Sequence, residues 1–367
     1  MFKDKNLEPI WKKVQLGERV SREEGLGLFS IQDILGLGKI ADWIKKKKNG
    51  NRVTYVVNRQ INPTNICVLS CKFCDYATKK NRPNAYAMTL EEILAHCSTD
   101  LKEVHIVGGL YHEWPFEFYL NIVRSIHEKF PNIQIKAYTA VEIDFFARTE
   151  KCSISEILGR LKEAGLVCLP GGGAEVFSER VRKALFPFKI GAPRWLEIHK
   201  TAHQMGIRSN STLLYGHIET HEERVDHMIK LRALQDETKG FLSFIPLAYQ
   251  SGKGKVVSHS VSSLEDLKTI AISRILLDNF DHIKSYWVTM GEETASMALH
   301  FGADDLDGTI GKEKIMHAAD ATSPLGMAKD RLEQLIRSAN CIPIERDALY
   351  GEIRDGALFA QQIGLRP

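Results

Sequence analysis

Short apolar segments alternate with amphipathic helical segments along most of this sequence. After residue 50 about eight such pairs follow one another, for example strand-like Glu103–Val107 before helical Phe116–Phe130. Strands this short and apolar indicate a sheet that is covered on both faces, which favours parallel strands joined by helices. We therefore expect the α/β class and a (β/α)8 barrel of the TIM type over residues 51–310. An open, doubly wound sheet is the alternative, because periodicity alone does not show closure.

Two further segments flank the predicted barrel. Residues 1–50 have helical spacing, and Ser21–Glu24 has the pattern of a capping box, so we expect a helical N-terminal lead-in. Residues 311–367 are expected to form a C-terminal extension packed on the barrel. We find no internal repeat, low-complexity segment or linker that divides the chain.

Composition excludes several classes of function. The chain has 367 residues, 44% hydrophobic and 26% charged, as in soluble globular proteins. A net charge of +3 implies no general affinity for nucleic acid. No apolar run approaches the roughly 18 residues of a membrane span, and the first residues lack the features of a signal peptide. Seven cysteines, an odd number, favour a reducing compartment, so we expect a cytoplasmic protein.

Three of the cysteines form a C-x3-C-x2-C array, Cys67, Cys71 and Cys74, directly after the strand-like run Tyr55–Asn62. Thiolates are soft ligands that suit iron–sulfur clusters or zinc. A structural zinc site and an electron-carrying cluster both need a fourth ligand, and Cys97 is the only other cysteine nearby. A cluster with one open iron needs only the three, and that iron is available to a substrate or cofactor.

Other unusual motifs also follow predicted strands. They are Gly108-Gly109, Ala140–Glu142, Gly171–Glu175 and Tyr215–Thr220. Each glycine group alone is more typical of a tight turn. Their shared position, at the carboxyl ends of strands, is the face on which barrel enzymes carry their active sites.

The cysteine array, with Phe73 just before its last cysteine, resembles the radical S-adenosylmethionine superfamily. The resemblance implies a 4Fe–4S cluster on the three cysteines, with S-adenosylmethionine as co-substrate on the open iron. It places Phe73 beside the adenine and the backbone of Gly108-Gly109 against the amino group. Glu175 and Arg194 match charged positions of related barrels, where Glu175 meets the ribose or amino group and Arg194 the methionine carboxylate. Glu142 is a further candidate for the ribose.

A narrower resemblance covers nearly the whole chain from about residue 50. Its motifs are similar to radical enzymes of the futalosine route to menaquinone and to the deazaflavin-forming enzymes. These motifs are Tyr138–Asp144, Pro170–Glu175, Leu214–Thr220, Leu234–Thr238 and Phe301–Thr309. Within this group, Gly216–Thr220 and Asp304–Thr309 resemble the aminofutalosine synthases. Dehypoxanthine futalosine cyclase, a deazaflavin-forming enzyme and a plain iron–sulfur electron carrier remain the alternatives.

The resemblance to the synthases implies a transferase reaction. A 5′-deoxyadenosyl radical adds to the vinyl carbon of 3-[(1-carboxyvinyl)oxy]benzoate, and rearrangement with loss of a carboxylate gives aminofutalosine. An electron donor such as flavodoxin or ferredoxin is the expected protein partner. Because the second substrate has two carboxylates, we expect cationic or hydrogen-bonding groups in its pocket.

For that pocket, His217 is the first candidate for catalysis and substrate binding, with Glu219 beside it. A structural histidine bonded to Glu219 or to the backbone is the alternative. Arg82, Asn210 and Ser211 are the other candidate substrate-binding residues.

Overall fold

The structure is a computed structural model that describes residues 2–252, 256–354 and 357–358. Met1 of the predicted lead-in and residues 355–356 and 359–367 of the predicted C-terminal extension lie outside the described residues.

The helices and strands alternate as the sequence predicts. The helices are α1 (Leu7–Leu16), α2 (Arg22–Leu28), α3 (Ile34–Asn49), α4 (Leu90–Leu94), α5 (Phe116–Lys129), α6 (Ala140–Glu150), α7 (Ile154–Glu163), α8 (Glu179–Leu185), α9 (Ala192–Gln204), α10 (His221–Thr238), α11 (Ser263–Leu276), α12 (Trp287–Met290), α13 (Glu292–Ala298) and α14 (Lys329–Ser338), with a 3-10 helix at His317–Ala319. The strands are β1 (Arg52–Val56), β2 (Asn58–Ile61), β3 (Glu103–Ile106), β4 (Gln134–Ala137), β5 (Leu166–Leu169), β6 (Arg208–Tyr215), β7 (Phe241–Ala248), β8 (His282–Ile283), β9 (Asp305–Gly308), β10 (Ile342–Glu345), β11 (Ile353–Arg354) and β12 (Ala357–Leu358).

The central sheet is a parallel barrel. Strands β2 to β8 are hydrogen-bonded in chain order, and every pairing between them is parallel. Strand β9 pairs with β1 on one side and meets β8 on the other, where Ser285 N–H donates to the Asp305 carbonyl at 2.9 Å. Because only Val57 separates β1 from β2, these contacts close the ring. The α/β barrel prediction is confirmed.

The first and last barrel strands differ from the sequence expectation. The predicted strand Tyr55–Asn62 is two strands, because its edge is paired with β10 before Val57 and with β3 after it. The predicted last strand, Phe301–Leu306, begins later, at Asp305. Residues 301–304 instead follow helix α13, and the buried Phe301 packs against Gly38 of the lead-in.

Side-chain caps fix where several helices begin. The predicted capping box of Ser21 and Glu24 is present at α2. A second box, formed by Thr139 and Glu142, starts α6 directly after β4. The segment Ala140–Glu142, predicted only to follow a strand, is therefore the first turn of a helix, and its capping carboxylate lies at the carboxyl end of the barrel.

The N-terminal helices pack on the outside of the barrel, with α2 against α10 and α3 against α11. A Cβ on Gly25 would lie 2.6 Å from Leu276 of α11, so the packing there is tight. Arg22 adds ion pairs to Asp226 at 2.5 Å and to Glu222 at 2.6 Å.

The domain boundaries at residues 50 and 310 stay predictions. In the described part of the chain, none of the helices combines the length and the apolar character needed to cross a membrane.

Candidate active site

A cavity of about 300 Å³ opens at the carboxyl ends of the barrel strands and extends down between them. Its upper lining comes from the loops after β2, β3 and β5 and from the start of α6 after β4, which carry the cysteine array and the motifs Gly108-Gly109, Ala140–Glu142 and Gly171–Glu175. Its lower lining comes from side chains of the strands themselves. The cavity also receives Ile315 and Met316 from the segment after β9, so this segment covers part of the mouth.

The cysteine loop after β2 forms one wall of this cavity. Cys67, Cys71 and Cys74 all line it, and all are free thiols. The Lys79 ammonium donates to the carbonyl oxygens of residues 67–69 at 2.8, 3.1 and 2.9 Å. The Lys72 N–H also donates to a carbonyl of α8 at 2.8 Å. The loop conformation is therefore held by the protein's own hydrogen bonds.

The chemistry of this loop fits a 4Fe–4S cluster. Among the described residues, no three His, Cys, Asp or Glu side chains are arranged around one metal ion. A cubane cluster binds each thiolate through a different iron, so it needs three spaced sulfurs rather than three converging ones. Burial raises the pKa of the Cys71 thiol to about 11, while the charge of Lys189 acts in the opposite direction. Cys97 is not part of the cavity lining.

The turn after β3 lies directly against the cysteine loop. A Cβ on Gly109 would lie 2.1 Å from the Ile66 carbonyl oxygen, and one on Gly108 would lie 3.0 Å from the Thr64 carbonyl oxygen. The Gly109 N–H already donates to Thr64 at 2.8 Å. Only glycine fits at position 109, and the groups of this turn suited to an ammonium ion are its carbonyl oxygens.

A buried ion pair lies on the cavity wall beside the cysteines. Glu175, with a left-handed φ of 49°, accepts a hydrogen bond from Lys189, and both side chains are mostly buried. The Lys189 ammonium also lies 5.3 Å from the centre of the Phe73 ring, and Phe73 packs edge-on against Phe186. The sequence reasoning missed Lys189, although a lysine within the apolar stretch Phe186–Ile190 was a signal for a buried charge.

Arg194 does not reach this cavity. It lies in the first turn of α9, where its Nε donates to Asp144 at 2.8 Å and its Nη1 to Glu197 at 2.9 Å. The pair with Asp144 joins α9 to α6 on the outside of the barrel. The contact between Arg194 and a methionine carboxylate stays a prediction; the cation that lines the cavity beside the cysteines is Lys189.

Glu142 does line the cavity. Its carboxylate accepts hydrogen bonds from the N–H of Gly108 at 3.2 Å and of Thr139 at 2.7 Å. Burial raises the pKa of Glu142 to about 7, against the opposing effect of these hydrogen bonds. Glu142 therefore links the turn after β3 to the start of α6.

His217 and Glu219 lie outside the cavity, and their roles in catalysis and substrate binding stay predictions. Both side chains are fully buried. His217 Nε2 bonds the Leu214 carbonyl at 3.1 Å, and Glu219 accepts from Gly216 N–H at 2.6 Å and Arg224 Nε at 2.8 Å. Burial opposes the charge of Glu219, but its hydrogen bonds and Arg224 outweigh burial and lower its pKa to about 2. These contacts close the loop after β6, as the alternative for His217 anticipated.

Of the other three candidate substrate-binding residues, two lie on β6 and the third lies by the cysteine loop. Asn210 lines the cavity, and its Oδ1 accepts from Ser243 Oγ at 2.9 Å. Ser211 is the next residue of the strand, so its side chain points to the opposite face. Arg82 lies on the outer surface of the cysteine loop, in a groove that also contains Lys72 and Lys79.

The lower end of the cavity holds charges that the sequence reasoning missed. We call its cavity-lining residues His105, Lys136, Lys284 and Asp307 the floor. Lys136 bonds the buried Glu103 at 2.5 Å, and Lys284 bonds Asp307 at 2.8 Å. Beneath them Arg346 pairs with Asp305 at 2.6 Å. The available signal was a polar residue between apolar neighbours, as with His105 of β3 and Lys136 of β4, since burial of such a side chain needs a partner or a cavity.

Family models match most of the chain. The model "Radical SAM superfamily" matches residues 61–231, and the model "CofH/MqnC C-terminal region" matches residues 238–357. Among solved structures, methylornithine synthase (PylB) has a TM-score of 0.73 at 18% identity, covering 91% of this chain and 97% of that chain. At this identity the likeness supports the barrel fold alone.

Three curated relatives align over almost the full length. Aminodeoxyfutalosine synthase of Thermus thermophilus is 43% identical, covering 96% of this chain and 97% of the relative. The Streptomyces coelicolor protein of the same name is 40% identical, with 94% and 93% covered. Cyclic dehypoxanthine futalosine synthase of Streptomyces coelicolor is 36% identical, with 95% and 90% covered.

Proposed function

The chain belongs to the radical S-adenosylmethionine superfamily, in the family of the aminodeoxyfutalosine synthases, and we propose that it makes aminodeoxyfutalosine for menaquinone biosynthesis. The observation that carries this proposal is the cysteine loop, which lies against a cavity lined by Phe73, Gly108-Gly109, Glu175 and Lys189. Three thiols beside a cavity suit a cluster with one open iron. When bound, that cluster supplies the electron that cleaves S-adenosylmethionine to methionine and a 5′-deoxyadenosyl radical.

The residues of the cavity wall bind and orient S-adenosylmethionine in this proposal. Phe73 stacks on the adenine, and the carbonyl oxygens of the Gly108-Gly109 turn accept from the amino group. Glu175 accepts from the ribose or the amino group, with Glu142 as a second acceptor. Lys189 takes the role expected of Arg194, pairing with the methionine carboxylate, because it is the buried cation beside Glu175.

The proposed second substrate is 3-[(1-carboxyvinyl)oxy]benzoate. A new carbon–carbon bond joins the adenosyl C5′ to the vinyl carbon, and the vinyl carboxylate leaves as bicarbonate or carbon dioxide after rearrangement. The apolar walls contributed by Leu214, Ile245 and Leu247 suit the aromatic ring and keep water from the radical.

The electron donor and the cellular location of the protein are parts of the same proposal. A groove on the outer side of the cysteine loop includes Cys71 and Cys74 together with Lys72 and Arg82. An acidic carrier such as flavodoxin or ferredoxin suits such a basic surface close to the cluster. Free thiols at all seven cysteines suit the reducing cytoplasm.

One anaerobic assay tests the reaction. Reconstituted protein receives reductant, S-adenosylmethionine, the carboxyvinyl ether and dehypoxanthine futalosine, and mass spectrometry identifies the products. We expect consumption of the ether and transfer of the adenosyl group into the product. Free 5′-deoxyadenosine with loss of dehypoxanthine futalosine would establish the cyclase instead. An electron carrier would yield neither methionine nor a nucleoside product.

Serine variants of two cysteines, one inside and one outside the cavity, provide a test with a matched control. Cys71→Ser is expected to lose bound iron and activity, because a hydroxyl is a poor ligand for the cluster. Cys97→Ser, outside the cavity, is expected to keep both. A Cys71→Ser protein with full iron content and activity would contradict the assignment of the cluster.

A further inference from the structure

The floor lies deep in the barrel, below the residues proposed to hold S-adenosylmethionine. His105 of β3 lies three residues before Gly108, which is in the turn after that strand. Lys136 of β4 lies three residues before Thr139, which is the cap of α6. At about 3.3 Å per strand residue, the floor lies roughly 10 Å below the upper loops. A ligand that reacts beside the cysteines has to place its opposite end at this depth.

The charges at this depth favour an anion. The floor contributes two lysines and one aspartate to the lining, which gives one net positive charge. Glu313, after β9, also lines the cavity, but its carboxylate accepts from the N–H groups of Ile315 and Met316. Glu103, the partner of Lys136, does not line the cavity, and neither does Asp305, the partner of Arg346. Burial acts against the charge of Lys136, but Glu103 and Asp307 more than offset it, so the pKa of Lys136 is raised.

The floor also has hydrogen-bonding capacity that the protein does not use. Each ammonium group carries three donors, and the Nζ atoms of Lys136 and Lys284 each make a single hydrogen bond within the described residues. His105 Nε2 has no hydrogen-bond partner there, although it is buried. Burial, followed by the charge of Lys136, lowers the pKa of His105 to about 3, so the ring is neutral at pH 7. Such groups cost free energy unless a ligand satisfies them.

We propose that His105, Lys136 and Lys284 form a subsite for the ring carboxylate of the second substrate, a benzoate. This rests on the proposed function, in which the vinyl carbon reacts near the cysteines. The ring carboxylate is then the group furthest from the reacting carbon. The apolar wall between the two ends, with Leu214, Ile245 and Leu247, takes the aromatic ring.

A comparison of two ligands and two proteins tests the subsite. The ligands are 3-[(1-carboxyvinyl)oxy]benzoate and the matched phenyl ether without the ring carboxylate. Calorimetry with S-adenosylmethionine but no reductant gives their affinities for wild type and Lys284→Gln. Wild type is expected to prefer the benzoate at least about ten-fold, and Lys284→Gln to lose most of that preference. An unchanged preference in Lys284→Gln would overturn the subsite.

Two more variants keep this test decisive. His105→Leu removes no internal hydrogen bond of Nε2, so it is expected to fold and to lower the preference several-fold; it carries the test if Lys284→Gln does not fold. Lys45→Gln is the control, because Lys45 is a buried lysine outside the cavity that bonds the Leu299 carbonyl. Its preference is expected to match wild type, and a loss as large as that in Lys284→Gln would also overturn the subsite.

The binding measurement separates this inference from the proposed function. If turnover gives no adenosyl adduct while wild type still prefers the benzoate and Lys284→Gln does not, the function is wrong and the subsite stands. If the adduct forms but both floor variants keep the wild-type preference, the function stands and the subsite is wrong.

Discussion

The upper lining of the cavity, which we call the upper wall, and the floor are built in different ways. Most upper-wall residues belong to loops, whose positions are fixed by contacts with backbone atoms. The Lys79 ammonium bonds the carbonyl oxygens of residues 67–69, and Gly109 packs against the Ile66 carbonyl. Floor residues belong to strands, and their positions are fixed by ion pairs such as Lys284 with Asp307. In the proposed function, binding of S-adenosylmethionine therefore depends on the backbone shape of these loops as well as on the side chains of Phe73, Glu175 and Lys189. In the proposed subsite, the choice of second substrate depends on the side chains of the floor.

The largest expected effect comes from changing the backbone contact at Gly109. In Gly109→Ala, the new Cβ would lie 2.1 Å from the Ile66 carbonyl oxygen, so the turn and the cysteine loop have to separate. We expect S-adenosylmethionine cleavage to fall at least about 100-fold, since a displacement of about 1 Å has that effect on catalysis. The measurement is the rate of methionine release from anaerobically reconstituted protein.

A second glycine provides the control for that experiment. Gly159 lies in α7, and a Cβ there would make only an ordinary contact, 3.8 Å from Met205. Gly159→Ala is expected to keep wild-type cleavage and to gain about 0.5–1 kcal/mol in stability, because alanine favours the helix. Equal rates for Gly109→Ala and wild type would show that the upper wall does not depend on this contact.

The sequence was sufficient for the cysteine loop and the glycine turn because their residues are close together in the chain, whereas Lys189 on the same wall was missed. Cys67, Cys71, Cys74 and Phe73 lie within eight residues, and the glycine turn follows the next barrel strand. The floor was not predictable in this way. His105 and Lys136 are single polar residues between apolar neighbours, Lys284 directly follows β8, and Asp307 lies in the acidic segment Asp304–Asp307, so only the folded barrel brings the four together.

The same limit applies to parts of the fold. Alternation of strands and helices was enough to predict parallel strands joined by helices, because it reflects local burial, but it did not separate a barrel from an open sheet. The division of the first strand at Val57 depends on β10, nearly 300 residues away in the chain, which takes one edge of β1. Arg194 was chosen for its spacing after Glu175, whereas the direction of its side chain depends on Asp144 of a neighbouring helix.

An intermediate effect is expected from the two cations considered for the methionine carboxylate, Lys189 and Arg194. Lys189→Gln leaves Glu175 without its buried partner and removes the proposed contact with the methionine carboxylate. We expect the KM for S-adenosylmethionine to rise at least about ten-fold, with partial recovery in Lys189→Arg. Arg194→Gln changes a half-exposed pair on the outside of the barrel, so its KM should change no more than about two-fold. A larger rise in KM for Arg194→Gln than for Lys189→Gln would instead assign the methionine carboxylate to Arg194.

The smallest expected effect is a difference in pH dependence between the upper wall and the floor. Burial raises the pKa of Glu142 to about 7, above its ordinary value, so its contribution to stability is present at low pH and is lost as pH rises toward 7. The pKa of His105 is lowered to about 3, mainly by burial. Its contribution is present above its ordinary value of about 6.5 and is lost as pH falls below that value.

His105→Leu therefore separates the floor from the upper wall. Between about pH 6.5 and pH 5, wild type should lose up to about 2 kcal/mol of stability through His105, and the variant should not. Urea unfolding of both proteins at the two pH values measures the difference, and all other titrating groups cancel in the comparison. An identical loss in both proteins would mean that His105 becomes protonated without penalty. That result would require water or a partner at its Nε2, and the floor would then have less unused hydrogen-bonding capacity to offer a carboxylate.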